Sequence, residues 1–352
     1  MQYNVGHFIR RQGLVDLTTI KEIAKRAGVS YSTVSRALNN KKGVRADIRE
    51  RIHRIAKDTG YFPHSSAQAL VKNRVRVLGI IIPRTGKFAF QNPYFSQVFM
   101  GISEVATNHN YNLMLSINQK KSYVDLYFRR LVDGVIVIGN RLDDEFINEL
   151  EEKRVPSVLI PGLMDHSQND LPSVNSENFK SAYRAVDYLL NLGHRKIAFI
   201  LGMMNSKYSV ERFQAYQTAF KDHGLAHDPQ YILESDFSKT DGFRMMGRLL
   251  DLPDRPSAVI CINDSVTPGA LSQISARGLK IPEDISIVAI SSSDFLDLYR
   301  PALTIINNSA ALIGQTASEM LIRLIETGHC PEKHLVIPSE FIIRDSTRAW
   351  RE

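Results

Sequence analysis

The chain has 352 residues, 43% of them hydrophobic and 23% charged, with a formal net charge of +7. That length supports two or three domains with sizeable cores, and no apolar run approaches the roughly 18 residues of a membrane span. The two cysteines, Cys261 and Cys330, stand far apart, which argues against a disulfide scaffold or a cysteine-rich zinc site and reads as two small core hydrophobes in a reducing compartment. The charge is unevenly placed. Residues 1–76 hold 16 Lys and Arg against 5 Asp and Glu, whereas residues 77–352 hold 28 against 32. A basic module on a slightly acidic body predicts a polyanion partner for the module alone.

The first segment, MQYNVGHFIRRQG, has neither a continuous apolar stretch nor a small-residue cleavage site, so a cytoplasmic protein is expected. Residues 1–17 read as an extension, either disordered or translated from an upstream start. Thr19-Ile-Lys-Glu22 has the spacing of a capping box and predicts a helix over Ile20–Arg26. Gly28 ends it, and Ser30 caps a second helix over Tyr31–Leu38. Ala24, then Gly28, then Val34 has the spacing of a helix-turn-helix: a small residue where two helices approach, a glycine in the turn, and an aliphatic that seats the second helix on the first. The second helix presents Tyr31, Ser32 and Arg36 as candidate readers of base edges, since Arg bonds guanine bidentately and Ser donates or accepts. Thr33, Ser35 and Asn39 suit phosphates, and Thr19, at the start of the first helix, is a further candidate DNA contact. A third helix over Ala46–Thr59 completes a small core through Ile48, Ile52 and Ile55. Gly60 and Pro63 then break the pattern, and HSSAQAL has length for about two helical turns, too few for stability in isolation.

TIKEIAKRAGVSYSTVSRALNN followed by GYFPHSSAQAL resembles the headpiece and hinge of the lactose/galactose repressor family. The resemblance implies that the second helix lies in the major groove of double-stranded operator DNA, and that paired hinge helices enter the minor groove with Leu70 as a wedge between base pairs. His64 stands where the family has asparagine, and Gln68 where it commonly has arginine.

From Val77 onward apolar strands alternate with amphipathic helices. The strands VRVLGIIIP, NLMLSI, DGVIVIG and VPSVLIP are followed by RKIAFILG, SAVICI and ISIVAI, with helices between them. Near-continuous apolar strands predict parallel sheets covered on both faces. Two such series predict an α/β core of two doubly wound subdomains with a ligand cleft at the carboxyl ends of their strands. The resemblance extends through NPYF, VDG, LGHRKIAFI, ERFQAY, IND and GLKIPEDISIV, and implies a periplasmic-binding-protein-like core. The expected division is an extension (1–17), a headpiece (18–62), a hinge (63–76), a core (77–346) and a tail (347–352). The first lobe is expected over 77–161 and 292–323, the second over 162–291 and 324–346.

The resemblance assigns Arg212 to an effector, which its planar fork can grip through hydroxyls or a carboxylate. Asn263 and Asp264 open a helix. For Asp264, effector contact and helix capping are both open readings. Ser291 stands where the family has a sugar-gripping aspartate, and Asn175 where an aspartate is common. Asn92, Phe90 and Tyr94 complete the candidate effector set. Phe88 and Phe90 fall in a Gly-containing loop and can stack on a sugar, whereas Phe95 reads as core. His194, before a strand, reads as a solvated or capping residue.

The sequence lacks G-x-x-x-x-G-K-[ST], H-E-x-x-H and G-x-S-x-G, so no enzymatic activity, cofactor or metal is expected. The functional expectation is a homodimeric transcriptional repressor with no membrane association, controlled by a small sugar-like effector. The long PRTGKFAFQNPYF segment points to the maltose/maltodextrin repressors and a maltose-type oligosaccharide. Two rivals are a regulator controlled by a phosphorylated carrier protein, for which Lys120, Lys121, Arg129 and Arg130 are candidate contacts, and a solute-binding protein without DNA control.

Overall fold

The computed structural model describes residues 19–38, 40–61, 74–117, 122–161, 170–292 and 294–350. The chain divides into two units, Met1–Val75 and Arg76–Glu352. In the first, α1 (Ile20–Ala27), α2 (Tyr31–Leu38) and α3 (Ala46–Asp58) enclose a core of Ile23, Ala24, Ala27, Val34, Ala37, Ile52 and Ala56. The capping signals act as their chemistry requires: the Glu22 amide donates to Thr19 Oγ1 at 3.3 Å, and Gly28 adopts φ 64°, a left-handed conformation that glycine enters without Cβ strain.

The second unit contains two six-stranded sheets. The first comprises β1 (Val77–Ile82), β2 (Asn112–Ile117), β3 (Gly134–Ile138), β4 (Ser157–Ile160), β5 (Ser173–Ser176) and β11 (His334–Ile337), in the order β11-β5-β4-β3-β1-β2. All its pairings are parallel. Side chains alternate between its faces, so Ile80, Ile82, Ile136 and Ile138 enter one core while Ile81, Val135 and Val137 enter another. This is why these strands read as unbroken apolar runs. The second sheet comprises β6 (Ile197–Leu201), β7 (Ile232–Glu234), β8 (Ala258–Cys261), β9 (Ser286–Ser291), β10 (Thr304–Asn307) and β12 (Glu340–Ile342), in the order β12-β10-β9-β8-β6-β7. Only its β10–β12 pairing is antiparallel among the described pairings.

The chain crosses between sheets after β5, β10 and β11, not at 161, 291 and 323. β5 and β11 therefore extend the first sheet, and β10 extends the second. Short strands at a crossover carry little periodicity, and their allegiance is fixed by pairing with distant strands. At the crossings the Glu177 amide donates to the Ile337 carbonyl (3.2 Å), the Asn308 amide to the Ser291 carbonyl (3.0 Å) and Arg184 Nη2 to the Ser339 carbonyl (2.8 Å).

Both lobes use closely crossed helices. In the first, α5 (Pro93–Asn108) packs on α12 (Ala310–Thr327); in the second, α10 (Lys239–Leu250) packs on α11 (Val266–Ala276). Each crossing brings a glycine from either helix against the partner's backbone. A Cβ at Gly101 would lie 1.9 Å from the Ala311 carbonyl oxygen, and one at Gly314 would lie 2.1 Å from that of Val98. The equivalents in the second lobe are Gly242, 2.2 Å from Val266 O, and Gly269, 2.0 Å from Lys239 O.

Residues 344–350 do not trail away from the core. The Ile287 amide donates to the Ser346 carbonyl (2.8 Å), and the Trp350 amide to that of Leu192 (2.8 Å). His194 is fully buried beneath this strap rather than solvated, with Nδ1 2.8 Å from Ser257 Oγ, Nε2 3.1 Å from the Arg348 carbonyl, and its ring stacked on Trp350. Burial lowers its pKa from the usual 6.5 to about 4. The unfolded chain therefore takes up a proton below about pH 6.5 that the folded chain refuses until about pH 4, and stability falls as pH drops through that window. The full loss is about 3 kcal/mol, converted at 1.36 kcal/mol per pKa unit. Urea midpoints followed through Trp350, the chain's one tryptophan, are expected to fall between pH 7 and pH 4.5, and His194→Gln is expected to flatten that dependence.

Candidate DNA-binding helix and effector cleft

On α2, Tyr31, Ser32 and Arg36 are exposed, while Thr33 and Ser35 are half-buried. Val34 and Ala37 face the core, so the helix turns one polar side outward. Ser30 Oγ lies 2.9 Å from both Ser32 Oγ and Thr33 Oγ1 and accepts from the Thr33 amide at 3.2 Å. That cluster fixes the first turn. The far end is held by Arg49 of α3, which donates to the Ala37 carbonyl (3.4 Å), Asn40 Oδ1 (3.1 Å) and the Lys41 carbonyl (2.7 Å). Sequence reading did not single out Arg49, because its partners, two carbonyls and the Asn40 side chain, lie 8 to 12 positions away. Arg36 has no such restraint, and its fork is available to a ligand. Thr19 is exposed but engaged as the α1 cap. Asn39, His64 and Leu70 lie outside the described residues, as does the hinge segment HSSAQAL.

The cleft of the second unit lies where the carboxyl ends of β1, β3, β6, β8 and β9 face one another. Its inner chamber encloses about 590 Å³ of non-protein space, part of it open to solvent. Aromatic walls come from both lobes. Residues Gly86–Gln91 form a short helix, α4, not a loop: Thr85 Oγ1 accepts from the Phe88 amide at 3.2 Å and starts it. The helix turns Phe88 inward, with T-shaped contacts to Phe95 (5.6 Å) and Phe237 (5.5 Å). Phe90, on the opposite side, is 70% exposed and does not line the chamber. Tyr94 faces Tyr208 of α9 (Lys207–Asp222) across the cleft, with hydroxyl oxygens 2.8 Å apart. Burial pushes the Tyr94 phenol up to about 12, so both hydroxyls are neutral donors and acceptors near neutral pH.

The polar floor is built from distant pieces. Asn92 caps α5, accepting from the Tyr94 amide at 3.1 Å, and also lines the chamber. Asn263, two residues ahead of the N-cap Ser265, supplies the capping acceptor for α11, accepting from the Ser265 (3.1 Å) and Val266 (2.7 Å) amides. Asp264 is thereby released from capping. It accepts from Ser291 Oγ (2.5 Å), Ser292 Oγ (2.6 Å) and the Ser292 amide (2.9 Å). Ser291 thus serves as a donor to an acid from another strand end. Asn175 lies on β5, outside the chamber lining.

Two guanidinium groups enter the cleft. Arg212 donates to the Ile262 carbonyl (3.1 Å) and Asn178 Oδ1 (3.0 Å), and its buried Nε has no partner. Arg84 donates to the Gly139 carbonyl (2.9 Å) and reaches across the lobes to Asn205 Oδ1 (3.0 Å). Burial lowers both to about 10, and both remain cationic near neutral pH. Sequence reading missed Arg84: it lies two residues past β1 in an unremarkable Pro-Arg-Thr, and its lining role comes from the approach of the second lobe. Of the basic cluster considered for a carrier protein, Arg129 and Arg130 are exposed, Arg129 pairs with Asp125 at 3.8 Å, and Lys120 and Lys121 lie outside the described residues. No group of three or more potential metal ligands occurs among the described residues, and none of their helices is long and apolar enough to cross a membrane.

Residues 19–64 match the family of bacterial regulatory proteins, lacI family, and residues 186–347 match the periplasmic binding protein-like domain. The transcriptional repressor CytR of Escherichia coli (strain K12) is 34% identical over 336 residues, covering 94% of this chain and 96% of that protein. The chain belongs to the lacI family. A probable transcriptional repressor of Bacillus subtilis (strain 168), ExuR, is 30% identical, with 94% and 99% covered. Among solved structures, the lac repressor dimer bound to operator and the anti-inducer ONPF has a TM-score of 0.83 at 25% identity, over 95% of this chain and all of that one. The CelR–cellobiose complex has a TM-score of 0.69 at 26% identity, over 94% and 99%. As a lacI-family member the chain is a DNA-binding transcriptional regulator and not an enzyme, with its helix-turn-helix in the first unit and its effector domain in the second.

Proposed function

We propose that this regulator is a dimeric repressor that grips operator DNA through Tyr31, Ser32 and Arg36 of α2 and responds to a sugar-like effector in the cleft. The observation that carries the effector reading is the pairing of facing aromatic walls, Phe88, Tyr94, Tyr208 and Phe237, with a floor of Asp264, Ser291, Ser292 and Arg212. Flat apolar faces flanked by converging hydrogen-bond groups suit a polyhydroxylated ring. The solved CelR relative binds cellobiose, which supports a sugar. The Tyr94–Tyr208 contact closes the inner chamber, and a maltose-type oligosaccharide requires that contact to part. Dimerisation is supported by edge strand β2 with exposed Leu113 and Leu115 and by Met100, exposed on α5, which packs against that strand. Effector binding changes the lobe angle, and residues 63–76 carry that change to the headpiece.

The test is fluorescence anisotropy of the full chain on a duplex that it selects from genomic DNA, with and without mono- and disaccharides. A sugar is expected to shift the midpoint, and Asp264→Asn is expected to raise the required sugar concentration ten- to a hundredfold, the loss of about 1.5–3 kcal/mol from charge-assisted bonds. An unchanged midpoint across all sugars rejects sugar control.

A further inference from the structure

The charges of the cleft indicate more about the effector, on the reading that the cleft is its site. Arg84 and Arg212 are 5% and 4% exposed, and the oxygens they bond are all neutral carbonyl or amide groups. Asp264 is the acid among the residues lining the inner chamber, and both its oxygens already accept from Ser291 and Ser292. Glu211 lies in the field of Arg212 and is reached through Asn178, whose Nδ2 donates to it at 3.0 Å, so neither guanidinium bonds a carboxylate directly. A buried guanidinium bonded only to neutral oxygens gains from an arriving anion.

Beyond the Phe88–Phe237 contact the cleft widens into a vestibule of about 800 Å³ of non-protein space, also part open to solvent. Arg84 lines this chamber too, beside Lys87 and Arg141, with Asp236 opposite. Arg141 is held by Asp143. Asp143 and Asp144 both lie within the field of Arg84, but Asp143 is bound to Arg141 and Asp144 accepts from the Tyr123 hydroxyl at 2.7 Å. Asp236 accepts from the Ser238 amide at 2.9 Å. Lys87 is exposed and has no hydrogen bond or ion pair among the described residues. The vestibule therefore offers the Arg84 fork, which bonds neutral oxygens in the field of Asp143 and Asp144, and the Lys87 ammonium, which has no ion pair among the described residues, beside the aromatic walls.

We propose that the effector is an anionic sugar, whose carboxylate or phosphate sits in the vestibule against Arg84 and Lys87 while its ring lies between the aromatic walls. A guanidinium fork binds either anion through two charge-assisted bonds, and the lysine adds a point charge.

Isothermal titration of the full chain with three series tests this: neutral hexoses and maltose, the corresponding hexuronates, and the hexose 6-phosphates. An acidic ligand is expected to bind at least tenfold more tightly than its neutral parent and to weaken with added salt. Lys87→Glu is expected to weaken that ligand more than tenfold, and Asp236→Asn to strengthen it. Both positions are exposed, so neither change threatens the fold. The uronate and phosphate series distinguish the two sources of the anion. A neutral sugar that binds as tightly as its acidic forms, or an acidic ligand indifferent to both substitutions, overturns the anionic assignment while leaving the cleft as the sugar site. No binding in any series, by a chain that still binds DNA, overturns the sugar reading of the cleft and this assignment with it.

Discussion

Arg36→Ala is expected to cost about 1–3 kcal/mol of operator binding, a loss of roughly ten- to a hundredfold, with the loss concentrated on one base pair of each half-site. Val34 and Ala37 fix the rotation of α2 by facing the core, and the Ser30 cluster and Arg49 hold its two ends. Arg36 is left on the outward side with its fork unrestrained. Anisotropy on the selected operator and on duplexes varied one base pair at a time, all at one salt concentration, separates the possible roles. A base-reading arginine loses discrimination at one position, and Arg36→Lys does not restore it, because an ammonium lacks the planar fork. A uniform loss across all duplexes, with a shallower salt dependence, would instead make Arg36 a phosphate contact.

Gly101→Val is expected to destabilise the effector domain by more than about 4 kcal/mol, a large share of the 5–15 kcal/mol that usually separates folded from unfolded chains. The added Cβ falls 1.9 Å from the Ala311 carbonyl oxygen, which is backbone and has no rotamer to change. Helices α5 and α12 must separate by more than 1 Å, and the shared core around Val98, Ile102, Ile313 and Ala317 loses its contacts with them. Gly314→Val, from the other helix, is expected to act in the same way. Gly86→Ala is the control: its Cβ meets open space, its φ is not positive, and the substitution is expected to leave urea unfolding unchanged or slightly raise the midpoint. Equal midpoints for the Gly101 and Gly86 variants would mean that this helix crossing contributes little to stability.

What the sequence by itself determined is the part of the protein whose signals are local. The headpiece is legible because each of its instructions acts within a few residues: Thr19 on the Glu22 amide, Gly28 in the turn, Ser30 on the Thr33 amide, Val34 on the neighbouring helix. The parallel sheets are legible for a related reason. A strand covered on both faces is apolar at every position, so β1, β3, β6 and β8 announce themselves wherever they finally pair. Only the tertiary structure decided the membership of β5, β10 and β11, since four residues of mixed character carry no address and their sheet is chosen by hydrogen bonds to strands far along the chain.

The cleft divides in the same way. Arg212, Asp264 and Ser291 were nameable in advance, but their chemistry was not. Asn263 takes the helix cap, and that frees Asp264 to accept from Ser291 and Ser292, residues 27 and 28 positions away. Residues two apart on a helix point to opposite sides, so α4 makes Phe88 and not Phe90 the wall residue. Arg84 enters the site only because the second lobe brings Asn205 to it. A hydrogen bond between lobes depends on where two independently folded cores come to rest, and that position is set by packing rather than by sequence neighbours.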